Sequence, residues 1–70
     1  MLLFALALGS EGAAQSSPED RASVHVREGE VAFDDARYLE ALTHFNRAYA
    51  LGPSDPLRHA LGRTHAALGQ

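Results

Sequence analysis

The stretch Ala41-Leu42-Thr43-His44-Phe45-Asn46-Arg47-Ala48-Tyr49-Ala50-Leu51-Gly52-Pro53 restricts the folds open to this chain more than any other. Ala41, Phe45 and Ala48 follow one another at spacings of four and three, so they share one face of a helix. Small residues on such a face let a second helix approach closely, and an aromatic ring among them fills the gap between the two. Tyr38, Leu42, Phe45 and Tyr49 continue the apolar stripe, and the pattern predicts a helix over about residues 36–51. Gly52-Pro53 should end it, the glycine by a left-handed cap and the proline because it cannot continue a helix.

A packing helix needs a partner, and the residues on either side provide two. Upstream, Ser17-Pro18-Glu19-Asp20 carries a hydroxyl cap, a proline suited to the first turn and two acids that complement the helix dipole. A helix is predicted over about residues 18–33, with Ala22, Val26, Gly29 and Phe33 on one face and Val24 and Val31 widening it. Asp34 and Asp35 follow, in a turn where aspartate should end this helix and cap the next. Downstream, Asp55 is expected to cap a third helix over about residues 56–68, with Leu57, Leu61, Thr64 and Leu68 on one face. Short turns between successive helices make neighbours antiparallel. The fold class expected is therefore all-α, a helical hairpin followed by one more helix.

Size and charge narrow the function. A chain of 70 residues buries only about 60% of its unfolded surface, so a core of this size is marginal by itself. With no cysteine, disulfides and thiolate metal sites are excluded. The net charge of -3, with every basic residue an arginine, gives no basic stripe for a phosphate backbone, and nucleic acid is not expected as a partner.

Met1 to Leu8 is apolar throughout, and Gly9 to Ser17 is small and polar. That order matches a secretory signal followed by its cleavage region, although no positive residue precedes the apolar run. Cleavage is expected after Ala14, with Gly12 and Ala14 at the small-residue positions, or else after Ser16. The run is too short for the roughly 20 apolar residues that cross a bilayer. The expected organisation is a signal segment over residues 1–16, a linker and cap over 17–21, a helical hairpin over 22–54 and a further helix over 55–70.

The hairpin resembles the tetratricopeptide repeat. That pattern places a glycine in its first helix, alanine with phenylalanine four later in its second, and a closing proline, with a period of about 34 residues. Gly29, Ala41, Phe45, Ala48 and Pro53 match these positions, and Tyr38 stands where an aromatic enters the second helix. Leu61-Gly62 begins a second copy, with Gly62 placed 33 residues after Gly29. The likeness covers residues 22–70, about one and a half repeats of an α-solenoid, and is strongest to exported bacterial proteins that carry such repeats behind a signal peptide. The chain departs from the pattern at His25 and Arg58, where tryptophan-like residues belong, at Glu28 in place of leucine, and at Ala32 in place of tyrosine.

What the resemblance implies is a scaffold for binding other proteins. In such arrays the first helix of each repeat lines a concave groove, which here would present Val26, Glu30, Phe33 and Asp34, then His59, Arg63, Ala66 and Ala67. Members that clamp a terminal carboxylate use lysine and asparagine on this face, whereas this chain offers Val26 and Glu30. An apolar or basic peptide is the expected ligand.

Competing chemistry finds little support in the residue spacing. His25, His44, His59 and His65 form no i, i+4 pair and no His-Glu-x-x-His motif, so they read as surface or groove histidines unless two copies of the chain bring them together. No serine has a histidine at a nucleophile's spacing, and no glycine-rich phosphate loop is present. Neither catalysis, a cofactor, a metal site nor a small-molecule substrate is expected. The leading expectation is an exported interaction scaffold, periplasmic in a bacterium, or cytoplasmic where the apolar N-terminus is instead retained as a helix packed on the core, and part of a longer array. Two others stand beside it: a homo-oligomer formed through Leu57, Leu61 and Leu68 of the third helix, and an adaptor held at a membrane surface by the apolar N-terminus.

Overall fold

The computed structural model describes residues 17–69, which form three helices and no strand. Helix α1 spans Pro18–Asp34, α2 spans Tyr38–Leu51 and α3 spans Asp55–Ala67. The expected signal segment, residues 1–16, lies outside the described residues. Three-residue connections join the helices, too short for anything but reversal of the chain. Helix α2 is the central element, packed against α1 and, over a smaller area, against α3.

The start of α1 follows from Ser17, whose Oγ accepts from the Asp20 N–H at 3.0 Å, with Pro18 opening the helix. Its end follows from backbone geometry. Ala36 adopts φ 63°, its N–H donates to the Phe33 carbonyl at 3.0 Å, and the Arg37 N–H donates to the Ala32 carbonyl at 2.8 Å. These two bonds make a Schellman motif with alanine at the left-handed position usually given to glycine. The expectation that aspartate caps the next helix is corrected here: Arg37 occupies the N-cap of α2 and no side chain caps it. The Asp35 carboxylate instead pairs with Arg37, which also pairs with Glu40.

Two other helix ends differ from expectation. Gly52 has φ -164°, an extended backbone rather than the left-handed cap. The cause is Pro53, whose ring drives the preceding residue out of the α region, so proline alone stops α2. At α3 the cap is Ser54, whose Oγ accepts from the Leu57 N–H at 3.3 Å, while Asp55 is the first helical residue and pairs with Arg58.

The core is small and rich in alanine. Ala32, Ala41, Phe45, Ala48, Leu57 and Ala60 are buried, with Ala22, Val26, Phe33, Tyr49 and Leu61 packed around them. Burial of Ala32 places an alanine where the repeat pattern has tyrosine, and lets α2 come close. Val24 and Val31 do not widen the buried face; both are exposed, because α2 covers the side of α1 that carries Gly29 and Ala32. On α3 the buried stripe is Leu57, Ala60 and Thr64, and the Thr64 hydroxyl is satisfied by donating to the Ala60 carbonyl at 2.7 Å.

The contact between Gly29 and Phe45 sets the α1–α2 approach. A Cβ at Gly29 would lie 2.6 Å from Cε1 and 2.7 Å from Cδ1 of the Phe45 ring. Glycine is required there because the ring already fills the space a side chain would enter. Gly62 has no atom within 4 Å of a Cβ placed on it, and it is exposed among the described residues. Of the other residues expected in the core, Tyr38 and Leu61 are half-buried and Pro53 is exposed.

Candidate functional site

Helix α1 carries two faces roughly a third of a turn apart. Gly29 and Ala32 point to α2, whereas Glu30, Phe33 and Asp34 point toward α3. At about 100° per residue Phe33 lies only about 40° from Gly29, so it stands at the border of the two faces, packed against the core and lining the cleft as well. Helix α3 brings Arg63 to the second face, and the four side chains line a cleft of about 220 Å³ together with Phe45. Phe45, the innermost of them at 1% exposure, reaches the cleft from α2 while its ring covers Gly29.

Arg63 is held by an aromatic ring rather than by an acid. Its guanidinium carbon lies 5.1 Å from the centroid of Phe33, a cation–π arrangement. Phe33 in turn meets Tyr38 edge-on, with centroids 5.1 Å apart, which fixes the ring's orientation. Among the described residues, no ion pair engages Glu30 or Asp34. The cleft therefore offers two carboxylates without a cationic partner beside one arginine that is already seated.

Of the eight groove residues expected from sequence, four meet in this cleft and three lie in adjoining hollows. Val26 lines a hollow with Ala22, Ser23, Arg27 and Glu30, and is half-buried against the core. His59 lines a hollow on α3 with Arg63, Gly62, Ala66 and Arg58. Glu30 and Arg63 each belong to two of the three depressions, so Val26, Glu30, Phe33, Asp34, Arg63 and His59 lie along one continuous path. Ala66 lies on that path, whereas Ala67 lines none of the three. Phe45 was absent from the sequence-derived groove, since a core aromatic on the second helix gives no sign of reaching past the first.

A second constellation joins α1 to α2. His25 Nδ1 lies 3.1 Å from His44 Nδ1, and His44 Nδ1 lies 3.4 Å from Glu28 Oε1. No spacing rule finds this group, because His25 and His44 stand nineteen residues apart on different helices.

No protein-family model, no curated protein and no solved structure matches the chain. No helix among the described residues is long and apolar enough to cross a membrane.

Proposed function

We propose that this chain is a tetratricopeptide-like interaction module, about one and a half repeats of an α-solenoid, that binds a peptide segment of another protein and catalyses no reaction. The observation that carries the reading is the cleft where Glu30, Phe33, Asp34 and Arg63 meet over Phe45. Its volume of about 220 Å³ is below the roughly 300–1,000 Å³ of small-molecule sites. A cleft of that size accepts one side chain of a longer ligand. Two carboxylates at its wall select a basic side chain, and the Phe33 face and the half-buried Val26 accept apolar neighbours. The close approach of Gly29 and Phe45 supports the repeat reading, since it gives a physical reason for two of the residues that carry the resemblance.

A peptide library displayed on phage and panned against the purified chain tests the proposal. Arginine or lysine flanked by apolar residues should be enriched, and Glu30→Lys and Phe33→Ala should each weaken the selected peptides at least about tenfold, equivalent to about 1.4 kcal/mol. Enrichment of acidic peptides, or no effect of either substitution, contradicts it. Export, to the periplasm in a bacterium, belongs to the same proposal and rests on the composition of residues 1–16. Mass spectrometry of the expressed protein should find a mature N-terminus at Gln15; an intact apolar segment in a membrane fraction favours a surface-anchored adaptor instead.

Self-association through α3 is the alternative, and Gly62 is the observation that favours it. The hollow around Gly62 is open to a second helix. Leu57 is not available for that contact, being 7% exposed and packed in the chain's own core. Sedimentation equilibrium separates the readings, since a folded monomer at micromolar concentration removes the homo-oligomer.

A further inference from the structure

The cluster of His25, Glu28 and His44 has the geometry of a metal site. His25 and Glu28 stand one helical turn apart on α1, and His44 faces them from α2 with its side chain 17% exposed. One ligand atom from each residue lies within 4.8 Å of the others. Two of the three separations, 3.1 and 3.4 Å, converge on His44 Nδ1. In a tetrahedral zinc site with bonds of about 2.0–2.1 Å, neighbouring ligand atoms lie about 3.3–3.4 Å apart. The two separations at His44 are close to the edges of such a tetrahedron.

Hydrogen bonding alone accounts less well for the arrangement. Each neutral imidazole carries a single proton shared between its two ring nitrogens. When His44 Nδ1 holds its proton, that one hydrogen faces both the His25 lone pair and a Glu28 oxygen. A cation at the same place would accept from all three atoms together.

The sequence adds an independent observation. His25 and Glu28 are two of the positions at which α1 departs from the repeat pattern, where an aromatic and a leucine would have packed against α2. One repeat period later the corresponding residues are Arg58 and Leu61, so the second unit keeps its leucine and has no such group. On the resembled pattern, two ligand-type side chains thus stand at apolar positions of the first unit, and both meet His44 on the facing helix.

We propose that His25, Glu28 and His44 bind one divalent cation of the zinc class, which joins α1 to α2. Two imidazoles and one carboxylate suit zinc among the abundant divalent ions, whereas magnesium and calcium favour oxygen ligands. Three protein ligands leave a fourth position for water or for a side chain of a bound protein. A cross-helix metal also suits a domain this small, whose core by itself gives little stability.

Zinc chloride titrated calorimetrically into the full untagged chain tests the proposal, with cobalt chloride as a spectroscopic substitute. One ion per chain, a raised Tm and the ligand-field bands of low-coordinate cobalt are expected. His25→Ala and His44→Ala should each weaken zinc at least about tenfold, while a His59→Gln, His65→Gln double variant keeps it. Because His44 is largely buried, Glu28→Gln at an exposed position provides the variant that keeps its helicity by circular dichroism, and it too should weaken zinc about tenfold. Absence of a zinc-dependent heat and Tm shift, binding unaffected by His25→Ala or Glu28→Gln, or loss only in the His59, His65 variant overturns the site. Zinc binding is independent of peptide binding in the α1–α3 cleft, so failure of either leaves the other standing.

Discussion

Gly29 and Gly62 occupy corresponding positions 33 residues apart, yet their surroundings are opposite. A methyl group at Gly29 would meet the buried Phe45 ring at 2.6 Å, whereas at Gly62 it would meet nothing within 4 Å. Alanine gains about 1 kcal/mol of helix propensity over glycine in either place. At Gly29 the overpacking outweighs that gain, and Gly29→Ala should destabilise the chain by about 1–2 kcal/mol in urea unfolding. Gly62→Ala should stabilise it by about 0.5–1 kcal/mol; equal effects at the two sites would contradict the packing described. Ala36 presents the reverse case, an alanine at φ 63°. A left-handed conformation costs a non-glycine residue about 1–2 kcal/mol, so Ala36→Gly should raise the urea midpoint by the equivalent of about 1 kcal/mol.

Serine hydroxyls start two of the three helices, and a turn with no side-chain cap starts the other. Ser17 and Ser54 each accept from a backbone N–H three residues on, and removing such a cap costs about 1 kcal/mol. Asp55 has the composition of a cap but pairs with Arg58 at the surface, an interaction worth little in water. Ser54→Ala should therefore lower stability by about 1 kcal/mol, and Asp55→Ala by less than about 0.5 kcal/mol. Chemical denaturation of the two variants under one set of conditions decides which residue is the cap. At the α1–α2 turn, the exposed Arg37 guanidinium is held in its charged form above the ordinary arginine range, first by its hydrogen bond to Glu40 and then by Asp35. The turn itself is closed by backbone bonds to the Phe33 and Ala32 carbonyls, which an aspartate cap was not needed to supply.

Phe45 links the three helices of the molecule. Its ring lies on Gly29 of α1, it belongs to the buried cluster that includes Leu57 and Ala60 of α3, and it lines the cleft beside Arg63. Truncating a buried phenylalanine to alanine costs about 3–5 kcal/mol. A single core in a chain of 70 residues rarely supplies more than about 3–5 kcal/mol, so that loss is most of what is available. Phe45→Ala should accordingly lose most of its helical circular dichroism at 25 °C, and a cooperative thermal transition near that of the unaltered chain would show that the core lies elsewhere.

Periodicity in the sequence determined three helices, their order and the face of α2 that packs, because spacings of three and four act within one helix. The resemblance to the tetratricopeptide repeat, rather than periodicity, grouped Glu30, Phe33 and Asp34 in one groove. Local rules failed where a choice depended on neighbours. Val24 and Val31 fit an apolar stripe but α2 lies on the other side of α1, and Gly52 is extended because Pro53 follows it. Only the tertiary structure decided that Arg63 rests on Phe33, that Phe45 reaches the cleft and that His25 and Glu28 meet His44. Each of these contacts joins residues on different helices, where the distance between side chains is set by how the helices pack, for α1 and α2 by the close approach at Gly29, and not by their separation along the chain.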